Sequence, residues 1–211
     1  MRFDEVASTQ DVARLHLEVL PVVVTARTQT EGRGRSAAKW LNADVALAAS
    51  VAFHHAPGED RPLSLLAGVA AIRVTEGTSL KWPNDVMRDG AKVGGILVER
   101  NDDSTVVGMG LNLVWANAPE GMAAVHDDSS AAAVEETGAL WAAELLALID
   151  TTGWPIDEYR DSCVTIGQQI TWEPAGAGRA VDVGEDGALV VESDGVRQRV
   201  VAGAIRHVRQ T

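Results

Sequence analysis

The period of the apolar positions changes several times along the chain, and each change marks an element. Val12, Leu15, His16 and Val19 recur at helical spacing behind Ser8-Thr9-Gln10, which predicts a capped amphipathic helix over about residues 9–20, ended by Pro21. Val22-Val23-Val24 reads as a buried strand running into Thr25–Gln29. Val45, Leu47, Ala49, Val51 and Phe53 alternate with smaller residues, the period of a strand with one face on a core. A helix over 63–74 follows from Leu65, Leu66, Val69 and Ile72. Arg88-Asp89-Gly90 then reads as the tight turn of a hairpin that pairs Asp85–Met87 with Val93–Glu99, and after Asn101–Ser104 the chain returns as a strand from Thr105 to Val114.

Residues 115–130 carry loop chemistry. From about Ala131 to Ile149, one stripe of Leu140, Glu144 and Leu148 beside another of Trp141, Leu145 and Ile149 predicts one or two helices against the sheet. Gly153-Trp154-Pro155 breaks that run, and Ile156, Tyr159 and Cys163 share one face of a short linking helix. Beyond Val164 the pattern shortens. Strands near 169–172, 178–183, 188–192 and 196–202 alternate with Gly- and Asp-bearing turns, as in a small closed barrel. The expected organisation is α+β: a domain over 1–163 built on a mixed sheet with flanking helices, and a small β domain over 164–211.

Composition narrows the function classes. The chain has 211 residues, enough for a sizeable core, and is 46% apolar with no run that would span a bilayer and no basic-then-apolar leader; a soluble cytoplasmic protein is expected. The one cysteine, Cys163, reads as a small buried hydrophobe and cannot form an internal disulfide. His54 and His55 read as loop residues, and no spacing suits a metal held by the protein alone. A net charge of −12 argues against a nucleic-acid surface, yet Arg33, Arg35 and Lys39 form a basic island suited to an anionic small molecule.

The densest chemistry lies in Lys81-Trp82-Pro83-Asn84-Asp85, followed by Lys92-Val93-Gly94-Gly95-Ile96-Leu97-Val98-Glu99. Proline stiffens the backbone beside Lys81, so the ammonium is held in a defined direction, where it can stabilise charge that develops in a reaction. Gly32-Arg33-Gly34-Arg35 is a glycine-spaced loop with forked donors for carboxylate or phosphate. In Gly108-Met109-Gly110-Leu111-Asn112 the strand glycines signal close approach, either of a nucleotide or of a packed element. Trp40 offers an aromatic face for a base or a core side chain, and Ser8 and Thr9 suit both a helix cap and a ligand corner.

Taken in this order, and with Ser8-Thr9 and Gln29–Trp40 upstream, these stretches resemble the biotin protein ligases in their short form without a DNA-binding domain, whose catalytic helix here begins within ten residues of Met1. The resemblance implies a synthetase-like or lipoate-ligase-like catalytic domain closed by a small SH3-like barrel. It implies ATP-dependent formation of biotinyl-5'-AMP, with magnesium on the phosphates, followed by transfer of biotin to a lysine of a biotin carboxyl carrier domain. Lys81 and Arg35 then become the catalytic pair. Ser8, Thr9, Gln10, Gln29, Gly32, Arg33, Gly34, Arg35, Lys81, Gly94 and Gly95 become biotin contacts, and Arg33, Arg35, Trp40, Asn84, Lys92 and Asn112 become ATP contacts. A monomer or weak homodimer is expected, without nucleic-acid or membrane partners. The chain departs from the family pattern in Gln10 where asparagine is usual, in Ala37-Ala38 where Gly-Arg is usual, and in a shortened lead into Lys81. Two rivals stay open: a lipoate or octanoate ligase, and a protein that holds biotin without turnover.

Overall fold

The computed structural model describes residues 1–55, 60–101, 103–127, 134–172, 176–201 and 208–210. Its larger sheet has seven strands: β1 (Arg2–Val6), β2 (Val22–Gln29), β3 (Val45–His54), β4 (Ser79–Lys81), β5 (Asp85–Arg88), β6 (Ala91–Arg100) and β7 (Ser104–Val114). They lie in the order β1-β2-β3-β7-β6-β5-β4, and the sheet is mixed because β1 runs parallel to β2 while the other pairs are antiparallel. The helices are α1 (Thr9–Leu15), α2 (Leu63–Val74), α3 (Val134–Asp150) and α4 (Ile156–Ser162). A second, antiparallel sheet contains β8 (Gln169–Trp172), β9 (Gly176–Val183), β10 (Leu189–Ser193), β11 (Val196–Val200) and β12 (Val208–Gln210), in the order β11-β10-β9-β8-β12. The architecture is the α+β arrangement expected, with a small β unit at the C-terminal end.

Strand alternation divides the large sheet into two unlike faces. Leu47, Val51 and Phe53 of β3 and Val107, Met109, Leu111 and Leu113 of β7 point to the side covered by α2 and α3, where they join the main core. There Trp141 is fully buried and its indole N–H donates to the Ala67 carbonyl, so α3 is pinned to α2 through a satisfied polar atom. The other face of β3 carries Ser50 and Ala52, and α1 covers part of it by burying Ala13 against Val24, Ala52 and Val106. The main core continues past residue 163 without a break and takes in Ile170, Ala180, Val183, Leu189 and Val191 of the second sheet.

Several elements differ from the sequence expectation, among them β12, which was not expected, and β3, which runs on to include His54, expected in a loop. α1 ends at Leu15 rather than near residue 20, because only its first turns have sheet to lie on; Leu15, Val19 and Leu20 are 80%, 85% and 76% exposed, so their helical spacing carries no packing. β1 is an edge strand that is almost wholly exposed, and β4 has only three residues, so neither shows a hydrophobic period. α3 is one continuous helix; Ala131–Ala133, expected at its start, and Ala202, expected at the end of β11, lie outside the described residues. Among the described residues no helix is long and apolar enough to cross a membrane.

Candidate functional site

Small residues hollow out the face of the sheet that α1 leaves open. Ser50, Gly108 and Leu97 stand in register across β3, β7 and β6, and the next row on that face is Ala48, Gly110 and Gly95. A Cβ at Gly110 would fall 2.7 Å from the Trp40 indole, and one at Gly108 would fall 3.0 Å from the Gln10 side chain. The two strand glycines therefore admit Gln10 and Trp40 onto the sheet, which answers the question their presence in a strand raised. Above this floor lies a cleft of about 390 Å³. Five basic residues line it, Arg33, Arg35, Lys39, Lys81 and Lys92, with Asp85 the one carboxylate of that lining, so a cationic hollow sits in a chain of net charge −12.

At one end the polar groups are knitted to one another. Gln29 Oε1 accepts from the Thr9 N–H (2.8 Å) and from Thr9 Oγ1 (3.1 Å), and Thr9 Oγ1 lies 2.8 Å from the buried Ser50 Oγ. This leaves the Gln29 amide nitrogen as a donor without a partner among the described residues, beside a buried hydroxyl. Gln10 Nε2 donates to the Leu97 carbonyl at 3.4 Å. Ser8 caps α1 by accepting from the Asp11 N–H at 3.4 Å, and at 2% exposure it stands outside the cleft lining.

The basic loop is a small closed hairpin. Arg33 bridges to Lys39, the Gly34 N–H donates to the Ala38 carbonyl (2.7 Å), and the Trp40 N–H donates to the Gly32 carbonyl (2.9 Å). Ser36, at its tip, has φ of 55°. The loop is moored by Arg33, whose two terminal nitrogens each lie 2.7 Å from an oxygen of Asp11, with Glu99 at 3.4 Å. The Arg33 guanidinium holds the Asp11 carboxyl below its usual range. Arg14 joins from the other side of Glu99 at 2.9 Å, so two arginines and two acids tie the loop to α1 and β6.

Of the loop cations that line the cleft, Arg35 is the one that hydrogen-bonds Asn84. Its Nη1 donates to Asn84 Oδ1 (3.2 Å), while Asn84 Nδ2 donates to the Ile96 carbonyl (2.9 Å) and the Ile96 N–H returns to the Asn84 carbonyl (2.8 Å). Asn84 thus orients Arg35 from a fixed position. Burial lowers the Arg35 pKa, and nearby Asp85 opposes that effect. Lys92 is ion-paired with Asp85 and lies over Gly95, whereas Lys81, in register opposite Asp85, makes no hydrogen bond or ion pair with any described residue. The Trp82–Pro83 bond that follows Lys81 is cis.

Of the residues singled out by sequence, Thr9, Gln10, Gln29, Arg33, Gly34, Arg35, Trp40, Lys81, Asn84, Lys92 and Gly95 line the cleft. Ser8, Gly32, Gly94 and Asn112 stand behind the lining. Gly32 lies under the Trp40 side chain and Gly94 against Leu111, while Asn112 is fully buried on the same strand face as Gly108 and Gly110. Its Nδ2 donates to the Ala123 carbonyl (3.2 Å), and its Oδ1 is buried with no partner among the described residues. Sequence reasoning missed Ser50, the polar residue on the non-core face of an alternating strand, and that break in its small-residue face was the available signal.

Comparison with known proteins places this site on a known fold. The model of the biotin/lipoate A/B protein ligase family matches residues 4–113. A biotin–[acetyl-CoA-carboxylase] ligase of Mycobacterium tuberculosis is 31% identical, over 89% of this chain and 79% of its own length, and its counterpart in Paracoccus denitrificans is 29% identical over 86% and 88%. In fold the chain is similar to the Aquifex aeolicus biotin protein ligase solved with biotin and ATP, with a TM-score of 0.80 at 23% identity, over 100% of this chain and 98% of that one. The knitted polar pocket, the arginine loop and the free lysine of β4 thus sit on the fold such enzymes share, and the chain belongs to the biotin/lipoate A/B protein ligase family.

Proposed function

We propose that the chain is an ATP-dependent biotin protein ligase. A biotin carboxylate oxygen attacks the α-phosphorus of ATP and displaces pyrophosphate; the amine of a lysine on a biotin carboxyl carrier domain then attacks the acyl carbon, and AMP leaves. Both steps build negative charge on oxygens between the carboxylate and the α-phosphate. The enzyme needs positioned cations and donors there rather than a nucleophile of its own.

The observation that carries this reading is Lys81, an ammonium without a partner among the described residues, in a cationic cleft that also holds a donor-rich polar pocket and an indole on a glycine floor. Lys81 bridges carboxylate and α-phosphate oxygens, and Arg35 reaches the same oxygens from the loop. Thr9, Gln10, Gln29 and Ser50 receive the cyclic urea of biotin, which offers one carbonyl acceptor and two N–H donors to match the free Gln29 amide and the hydroxyls. Trp40 supplies the aromatic face for adenine, while Asn112, an expected ATP contact, is buried behind that lining and backs it from the strand. Magnesium would accompany ATP as a counter-ion to its phosphates, since no cluster of acidic or histidine side chains among the described residues could hold it. We assign residues 1–163 to this catalytic unit and 164–211 to a small accessory β domain.

The test is exchange of labelled pyrophosphate into ATP, with biotin, with lipoate as the control acid, and with Lys81→Ala beside the wild type. Removing one such charge partner costs about 3 kcal/mol, roughly a hundredfold or more in rate. Biotin-dependent exchange that collapses in the variant is expected. Exchange with lipoate alone would move the assignment to a lipoate ligase, and an unchanged variant would take Lys81 out of the mechanism.

A further inference from the structure

β4 ends the strand order of the large sheet, so its outer edge would be left unpaired by the other strands. The chain leaving α4 fills that edge. Leu80 and Cys163 form a parallel bridge, the Val164 N–H donates to the Leu80 carbonyl (2.8 Å), and the Trp82 N–H donates to Thr165 Oγ1 (3.0 Å). The Trp82 indole N–H reaches further, to the Gly187 carbonyl (2.9 Å) in the turn before β10. The strand side of these contacts and the Thr165 acceptor are dry: Leu80, Trp82 and Thr165 are 2%, 1% and 0% exposed, whereas the Val164 side chain faces solvent. The Gly187 turn is itself fixed, since its φ is 81° and a Cβ there would fall 2.7 Å from Pro62 at the start of α2.

Lys81 therefore lies between two residues that are both anchored from the C-terminal side of the chain, while its own ammonium has no described partner to hold it. We propose that Thr165, with the Gly187 carbonyl, is a positioning group for Lys81, so that the small C-terminal sheet sets the aim of the lysine. The proposal rests on the reading of Lys81 as the adenylation cation. A buried N–H that loses its acceptor must turn to find another. Turning the Trp82 peptide rotates the strand at Lys81, and a misplacement of about 1 Å at a reacting centre can cost around a hundredfold in rate.

The experiment compares wild type, Thr165→Val and Thr165→Ser in biotin-dependent pyrophosphate exchange, together with amide hydrogen exchange of the peptide containing Leu80–Trp82. Thr165→Val keeps the shape and loses the acceptor. It is expected to lower kcat about tenfold or more, with KM for biotin and for ATP within about twofold, and to speed amide exchange at 80–82 but not in β3 or β7. Thr165→Ser restores the acceptor and is expected to recover most of kcat. Should Thr165→Val not accumulate as folded protein, Trp82→Phe, which removes the indole donor to Gly187 together with part of a buried ring, is read by the same kcat-against-KM split. Equal losses in the valine and serine variants would assign Thr165 to general packing and overturn the proposal, as would an unchanged kcat in Thr165→Val. A wild type that exchanges no pyrophosphate with biotin would instead overturn the adenylation reading itself.

Discussion

Gly110 and Gly108 allow the two ends of the cleft to be perturbed separately with one methyl group each. A methyl at Gly110 lies 2.7, 2.9 and 2.9 Å from three ring carbons of Trp40, where carbon atoms pack at about 3.5–4.0 Å, so the ring must move by roughly 1 Å. An indole cannot fold away from such a contact. The Trp40 backbone is also held by Gly32, so the strain is shared between the loop and the floor. Overpacking of this kind costs about 1–3 kcal/mol. If the displaced face is the one that receives adenine, about 1.4 kcal/mol of it appears as a tenfold rise in KM for ATP. A methyl at Gly108 meets the end of Gln10 at 3.0–3.3 Å, a flexible side chain that yields by changing rotamer. Its effect should fall on biotin and be smaller, a few-fold in KM. Steady-state pyrophosphate exchange with each substrate varied in turn, for Gly110→Ala and Gly108→Ala, measures both. The reasoning is refuted if Gly110→Ala leaves KM for ATP unchanged, or if it raises both constants equally.

Two further outcomes are expected. Arg33→Gln should release preformed biotinyl-adenylate a few times faster in a pulse-chase assay, because the bonds from Arg33 to Asp11 and Glu99 moor the loop; with Arg33 about a third exposed, the loss in stability should stay near 1 kcal/mol, and unchanged retention would show that the loop does not clamp. Tyr159 is the chain's one tyrosine, and burial beside Cys163 pushes its phenol well above the ordinary value of 10.0. The folded state then keeps a proton that the unfolded state gives up, so this contribution is complete below pH 10 and is lost as pH rises above it. Absorbance at 295 nm should show no tyrosinate until the chain unfolds in alkali, whereas a reversible titration near pH 10 in folded protein would contradict the burial.

What could be read in advance had a local cause. The hairpin of β5 and β6 was legible because Asp89-Gly90 can take the positive φ of a tight turn, and β3 because its alternation reports a half-buried strand. The cleft residues near Lys81 and in the arginine loop were legible because their types are unusual for mere structure. Contacts between distant residues were not. Nothing near Arg33 in sequence announces Asp11, 22 positions earlier, or Glu99, 66 positions later, yet those acids decide that Arg33 moors the loop while Arg35 enters the cleft. Thr165 and Gly187 likewise lie 83 and 105 positions from Trp82, and a threonine in a turn carries no mark that it accepts from a strand.

The cationic cleft in an acidic molecule also shapes how substrates arrive. ATP approaching from a distance meets the field of a body carrying net −12, and only close to the cleft does it feel the basic lining, in which Arg33 is already paired with Asp11 and Glu99 and Lys92 with Asp85. Salt screens the two fields unequally: near 0.1 M the Debye length is about 10 Å, which damps the far repulsion and leaves the close attraction in a half-enclosed hollow largely intact. Capture of ATP should therefore quicken as salt is first added and slow only when the near field is screened in turn, the reverse of the steady decline seen when opposite charges steer an encounter. An acidic body of this kind repels ATP at long range and draws it in close to the cleft.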